Sequence, residues 1–200
     1  MNLKNKNNMS YTEIYKFNEN GDAEFFENVP NAWRGAMQVW RSIEKKYLPP
    51  LPQPSWMDDE NYEKRGYYRY QVSPDKDQHP LKPVWDLFKD ERLTREERIV
   101  LGTTFDNIIV MKHNIPEVIN AFEKFDDIVK DETSTEGDTS LKEQAAILKN
   151  ALADNNLIAV AWNQMSIVES KWTPSDDDEK PYNIINDMEH FDLFEDEMLK

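Results

Sequence analysis

Cysteine is absent from the 200 residues, which removes disulfides, thiolate metal sites and cysteine nucleophiles together. Glycine is scarce, with five in the chain. None falls in a GxGxxG or P-loop pattern, so nucleotide binding by those backbone cradles is excluded. No apolar run approaches the roughly 20 residues that a membrane-spanning helix needs. The three histidines, His79, His113 and His190, have no second histidine at i+3 or i+4, so an HExxH-type zinc site is missing. No nucleophile elbow occurs either. Basic residues are outnumbered, 24 against 39 acidic, for a formal charge of −15. So negative a chain is repelled by phosphates, which opposes direct nucleic-acid binding and docking on anionic lipid. The expectation is therefore a protein with no metal, no cofactor and no recognisable catalytic residue, hence not an enzyme.

What is present is aromatic. Six Trp, eight Tyr and nine Phe offset a mean hydropathy of −0.84. At roughly 150–250 Å² of buried surface for each aromatic, even half of them supply a core, so the chain reads as globular rather than disordered. Residues 1–10 are polar and lack the apolar stretch of a secretory signal. They read as a disordered leader on a cytoplasmic protein, with residues 11–200 as one domain.

Along the chain, residues 11–17 and 23–26 are two β-prone runs joined through Asn20-Gly21, a hairpin signal. Asn28-Val29-Pro30-Asn31 is expected to break the second strand, with Asn31 capping a helix over 31–47. Its stripe is Trp33, Met37, Trp40, Ile43 and Tyr47, read as core packing, with a recognition surface built on the two tryptophans as the alternative. The proline-rich stretch 48–54 favours an extended connection. Residues 56–70 mix Tyr62, Tyr67, Tyr68 and Tyr70 with Lys64, Arg65 and Arg69. That interleaving suits single-stranded nucleic acid, but the global charge opposes it, and a strand or loop is expected.

Leu81, Val84, Trp85 and Phe88 then share a helical face, with Pro83 in its first turn. Thr94-Arg95-Glu96-Glu97 has capping-box form. Residues 107–111 read as a buried strand. Asn114 and Pro116 open a helix whose stripe is Val118, Ile119, Phe122 and Phe125. Residues 126–138 read as an exposed loop. Ser140 and Glu143 form a second capping box, ahead of Leu141, Ala145, Leu148 and Leu152. Residues 157–162 give the clearest buried strand, and 173–181 an acidic loop. The end, 182–199, fits either a helix or a short strand with a frayed tail. Hairpin, helices and isolated strands together indicate an α+β fold with one small sheet packed by helices.

Charge is unevenly placed. Residues 1–125 hold 20 acidic and 18 basic side chains, net −2, whereas 126–200 hold 19 and 6, net −13. Such asymmetry bears on partners: clustered carboxylates can stand where phosphates stand and steer the molecule to a basic groove. The plain alternative is a solubilising face. The run Asp176-Asp177-Asp178 lacks the alternating ligands and closing glutamate of an EF-hand.

Asn31-Ala32-Trp33-Arg34-Gly35-Ala36-Met37, Thr104-Phe105-Asp106-Asn107 and Ile158-Ala159-Val160-Ala161-Trp162-Asn163-Gln164 resemble stretches of small acidic proteins encoded by phages and prophages, over about residues 11–194. No functional residue carries over from that group. The resemblance implies an inhibitor of host defence, of the anti-CRISPR or anti-restriction kind. Such a protein would mimic nucleic acid to block the basic groove of a host nucleic-acid-binding defence protein. The partner-binding residues expected are Asp176, Asp177, Asp178, Glu179, Asp187, Glu189 and Asp192, with Trp172 and Tyr182 as exposed apolar anchors. The alternative is an accessory or regulatory protein that binds a protein partner through an apolar aromatic surface. A homodimer burying one aromatic stripe is compatible with either. A pocket gathering His113 or His190 with carboxylates would point instead to an enzyme.

Overall fold

The structure, a computed structural model, describes residues 11–30, 32–125, 140–164, 171–172, 180–195 and 199. The expected leader, the loop at 126–138 and Asp176, Asp177, Asp178 and Glu179 lie outside these residues, as do Asn31 and the side chains of Trp33 and Ser140.

The hairpin forms from β1 (Tyr11–Phe17) and β2 (Ala23–Pro30). Asn18 organises its turn, accepting Gly21 N–H on its carbonyl at 2.8 Å and Asn20 N–H on its side chain at 2.9 Å. Gly21 has φ +87°, and a Cβ there would strike the side chains of Ile185 and Asn183, so both backbone and packing demand glycine. The expected break at Asn28 does not occur. β2 runs on to Pro30, opposite Tyr11, and a register shift between Ile14 and Tyr15 absorbs one extra residue. β2 is the edge strand, where a proline at the strand end sacrifices no ladder bond.

β3 (Ile108–Met111), β4 (Ala159–Gln164) and β5 (Phe191–Asp192) complete a mixed sheet in the order β2-β1-β4-β3-β5. β4 begins two residues later than expected. β5 pairs in parallel with β3, Ile108 with Phe191 and Ile109 with Asp192, so the chain end takes the short-strand form. Alternation divides the sheet. Ile14, Val110, Val160 and Trp162 belong to the main core. Tyr15, Phe17, Ile109, Ala159 and Ala161 belong to a second core on the opposite face.

Six helices accompany the sheet among the described residues: α1 (Ala32–Tyr47), α2 (Asp59–Arg65), α3 (Lys82–Asp86), α4 (Arg95–Gly102), α5 (Ile115–Lys124) and α6 (Ser140–Ala151). Trp40, Ile43, Ile99, Val118, Phe122 and Leu148 are among the side chains they bury in the main core. The Thr94 box forms as expected: Thr94 accepts Glu97 N–H at 3.2 Å, and Glu97 accepts Thr94 N–H at 2.8 Å. Asn114 is not a side-chain cap. It sits in a 3-10 turn (Lys112–Asn114) that runs straight into α5.

α2 replaces the expected strand or loop. Asp58 caps it by accepting Asn61 N–H at 2.8 Å, Asp59 and Glu60 occupy its first turn and Lys64 and Arg65 its last, matching the helix dipole. Gly66, at φ +70°, ends it. A second 3-10 turn (Arg69–Gln71) follows. Its Arg69 is engaged within the fold. It pairs with Glu44 of α1 at 2.5 Å, and Glu44 is 2% exposed. Burial pushes the Glu44 carboxyl above its ordinary range, against the opposing pull of Arg69.

Candidate functional site

The segment between α4 and β3 gives the site its shape. Thr103, Thr104 and Phe105 donate their amides back to Ile99, Leu101 and Gly102, so the end of α4 unwinds as a chain of tight turns. Asn107 then takes φ +62°, a left-handed conformation that asparagine tolerates, and turns the chain into β3. Beside these turns lies a groove of about 1280 Å³, larger than the roughly 300–1,000 Å³ of ordinary small-ligand pockets.

Much of the groove lining is aromatic. Trp40, Trp85, Phe88, Phe105 and Tyr70 line it with His79. Trp40 and Trp85 meet edge to face at 6.4 Å, Phe88 and Phe105 at 5.3 Å, and His79 stacks on Trp85 at 4.6 Å. Thr104 joins this wall to the helix turn behind it. It accepts from Trp40 Nε1 at 3.0 Å and donates to the Leu101 carbonyl at 2.6 Å. His79 Nδ1 accepts Leu81 N–H at 3.2 Å, which places the proton of its neutral ring on Nε2.

Met188, His190, Phe191, Asp192 and Glu195 of the C-terminal segment line the groove as well. The amide of Phe191 donates to the Asn107 carbonyl at 2.9 Å, which joins this segment to the chain next to Asp106. Met188 and Phe191, both in the groove lining, are 84% and 66% exposed. Burial against the groove raises the carboxyls of Asp106 and Asp192. Asp192 also accepts Phe194 N–H at 3.0 Å and feels His113 and His190, which oppose its rise.

His190 therefore shares the groove with carboxylates, the arrangement that raised the question of an enzyme. Its Nδ1 lies 3.0 Å from both Tyr182 Oη and the Asp187 carbonyl. Tyr182 spends its own proton on that same carbonyl, at 2.7 Å. Nδ1 must then be the donor, leaving Nε2 as the acceptor of the neutral ring. Neither ring nitrogen of His190 is hydrogen-bonded to Asp106, Asp192 or Glu195 among the described residues, and Thr104 Oγ1 donates to a backbone carbonyl. The described residues of the groove lining show no hydrogen-bonded nucleophile–base pair. No group of three metal-ligating side chains occurs among the described residues.

The expected partner-binding residues are scattered in role. Asp187 closes a local turn, accepting Asn183 N–H on Oδ2 at 2.8 Å. Glu189 is exposed and lies 3.2 Å from Lys171 Nζ. Asp192 lines the groove. Trp172 is not an exposed anchor, because it is 2% exposed and is the centre of the second core. Ala159 and Ala161 leave that face shallow, the indole meets Phe17 and Tyr182 edge to face at 5.5 and 5.1 Å, and its Nε1 donates to the Trp162 carbonyl at 3.1 Å. Tyr182 is half-buried against it. Trp40 belongs to the stripe weighed as a recognition surface and is buried, whereas Trp85, Phe105, Asp106, Met188 and Phe191 carry no expectation of binding from the sequence. The six come from four separate stretches of chain, and their local signals, the apolar stripes that hold Trp40 and Trp85, point to core packing rather than to a shared site.

No protein-family model matches the chain, and neither a curated protein nor a solved structure matches it. No helix of the described residues is long and apolar enough to cross a membrane.

Proposed function

We propose that the chain is a non-catalytic binding protein that holds a protein partner in the aromatic groove. The observation that carries this is the pair Met188 and Phe191, 84% and 66% exposed, on the rim of a cavity walled by Trp40, Trp85 and Phe105. Large exposed apolar side chains cost solubility, and interfaces recover that cost by covering them. A photo-cross-linking amino acid at 188 or 191 should trap the same partner, and the same residue at 56 should not. Trp56 supplies the control because it is 67% exposed and lies away from the groove lining. Equal trapping at 56, or none at 188 and 191, would refute the proposal.

A second reading is favoured by the net charge of −13 over residues 126–200. A phage-encoded protein of this kind would use that region as a decoy for the basic groove of a host nucleic-acid-binding defence protein. Its carboxylates would be Asp176, Asp177, Asp178 and Glu179 with Asp187, Glu189 and Asp192. Inhibition of such an enzyme should weaken steeply as salt rises and be lost on neutralising Asp176, Asp177, Asp178 and Glu179 together. Inhibition that survives both changes would contradict it.

A further inference from the structure

Three acids of the groove lining, Asp106, Asp192 and Glu195, form no ion pair with any described lysine or arginine. A fourth, Asp86, is paired with Lys82 at 2.5 Å. Lys89 is the lysine of the lining. The acids thus outnumber the cations, and the unpaired three flank apolar walls. Asp106 and Glu195 are exposed at the groove and Asp192 is half-buried; partial burial raises the carboxyls of Asp106 and Asp192. A carboxylate stripped of water without a cation in return is a cost of folding. A ligand that brings the cation removes this cost and strengthens its own binding.

Resting on the groove as the docking site, we propose that its occupant is a basic, apolar peptide segment. A lysine or arginine of that segment sits among Asp106, Asp192 and Glu195, and its neighbouring apolar side chains pack on Trp85, Phe105, Met188 and Phe191. Size favours a peptide over a small amine, since the groove of about 1280 Å³ exceeds the roughly 300–1,000 Å³ that a compact ligand fills. The exposed Met188 and Phe191 also extend the apolar surface beyond the cavity, as a longer chain requires. The net charge of −15 steers a basic segment toward the molecule before contact.

The test is selection from a randomised, yeast-displayed peptide library on the full chain. Enriched sequences should carry Lys or Arg beside Trp, Phe, Leu or Ile. A triple D106N/D192N/E195Q variant should bind them at least about tenfold more weakly, the gap narrowing as salt rises. Near-ultraviolet circular dichroism checks that the variant keeps its aromatic packing. Enrichment of neutral or acidic sequences, or equal affinity for the triple variant, overturns the basic-peptide proposal while leaving groove docking intact. Selected peptides that ignore Met188→Ser and Phe191→Ser overturn groove docking itself, and so does a library that yields no binder. Tryptamine binding as tightly as the selected peptides would show a small-amine site and overturn the choice of a peptide.

Discussion

The indole N–H of Trp40 donates to Thr104 Oγ1 at 3.0 Å, joining the buried face of α1 to the turn that carries Phe105 and Asp106. Thr104→Val keeps the shape but leaves the indole without its acceptor in a site where Trp40 is 5% exposed. The expected loss is about 1–3 kcal/mol, read as a lower midpoint in urea at unchanged slope. An unchanged midpoint would mean that the bond does not hold the groove wall.

Glu44 and Arg69 make a charge pair that is more costly to break than to remove. Arg69→Met should lose about 3 kcal/mol or more because it strands a buried carboxylate, whereas Glu44→Met combined with Arg69→Met should recover part of that loss. The pH dependence has a definite sign. The folded-state pKa of Glu44 is raised above its ordinary 4.5 by burial, and Arg69 is what restrains it. The folded state therefore binds the extra proton, and stability falls as pH rises through the window above 4.5. Without Arg69 the window widens, so the Arg69→Met variant should regain stability on acidification from pH 7 more than the parent does. Parallel pH profiles would contradict this.

Gly102 ends α4 directly against Leu193. A Cβ at 102 would collide with the Leu193 side chain and crowd Phe88, so Gly102→Ala is expected to destabilise by about 1–3 kcal/mol. The C-terminal segment is seated through this contact, so Leu193→Ala in the same chain should relieve the clash. A double-mutant cycle should then show a cost smaller than the sum of the singles. Strict additivity would place the two residues out of contact.

Asp106 and Asp192 should be poor for stability. Both carboxyls are raised above 3.8, chiefly by burial, so the charged form present at neutral pH is the disfavoured one. Asp192→Asn, at the half-buried position, is expected to match or exceed the parent at pH 7 by about 1–2 °C in melting temperature, and Asp106→Asn, at the exposed one, by less. The gap should close as pH falls toward 3.8, where the parent carboxyls take up their protons. Differential scanning calorimetry across that range checks it. A loss of several degrees at pH 7 would show that these acids are structural.

Where local chemistry decides structure, the sequence was legible. Asn20-Gly21 makes the hairpin, Thr94 and Glu97 cap α4, and the apolar stripes of α1, α5 and α6 face the main core. α2 was hidden because none of its residues is buried. It has no apolar stripe to read, and its caps and end charges are weaker signals than the four tyrosines around it. Trp172 was misjudged for the opposite reason: its chain neighbours are acidic and polar, and its burial depends on Ala159 and Ala161 of a distant strand. The groove was the least legible part. Trp40, Trp85, Phe105 and Phe191 each read locally as ordinary apolar residues, and only the parallel pairing of β5 with β3 brings the last of them to the others.

The most direct test is an NMR titration of the full chain, with labelled methionine methyls and tryptophan indoles, against a basic peptide selected on it. Met111 and Met188 line the groove with Trp40 and Trp85, whereas Met57 and Trp56 lie outside it. The predicted result is movement of the Met111, Met188, Trp40 and Trp85 signals with those of Met57 and Trp56 unchanged. Movement at Met57 and Trp56 with the groove signals still would contradict the account.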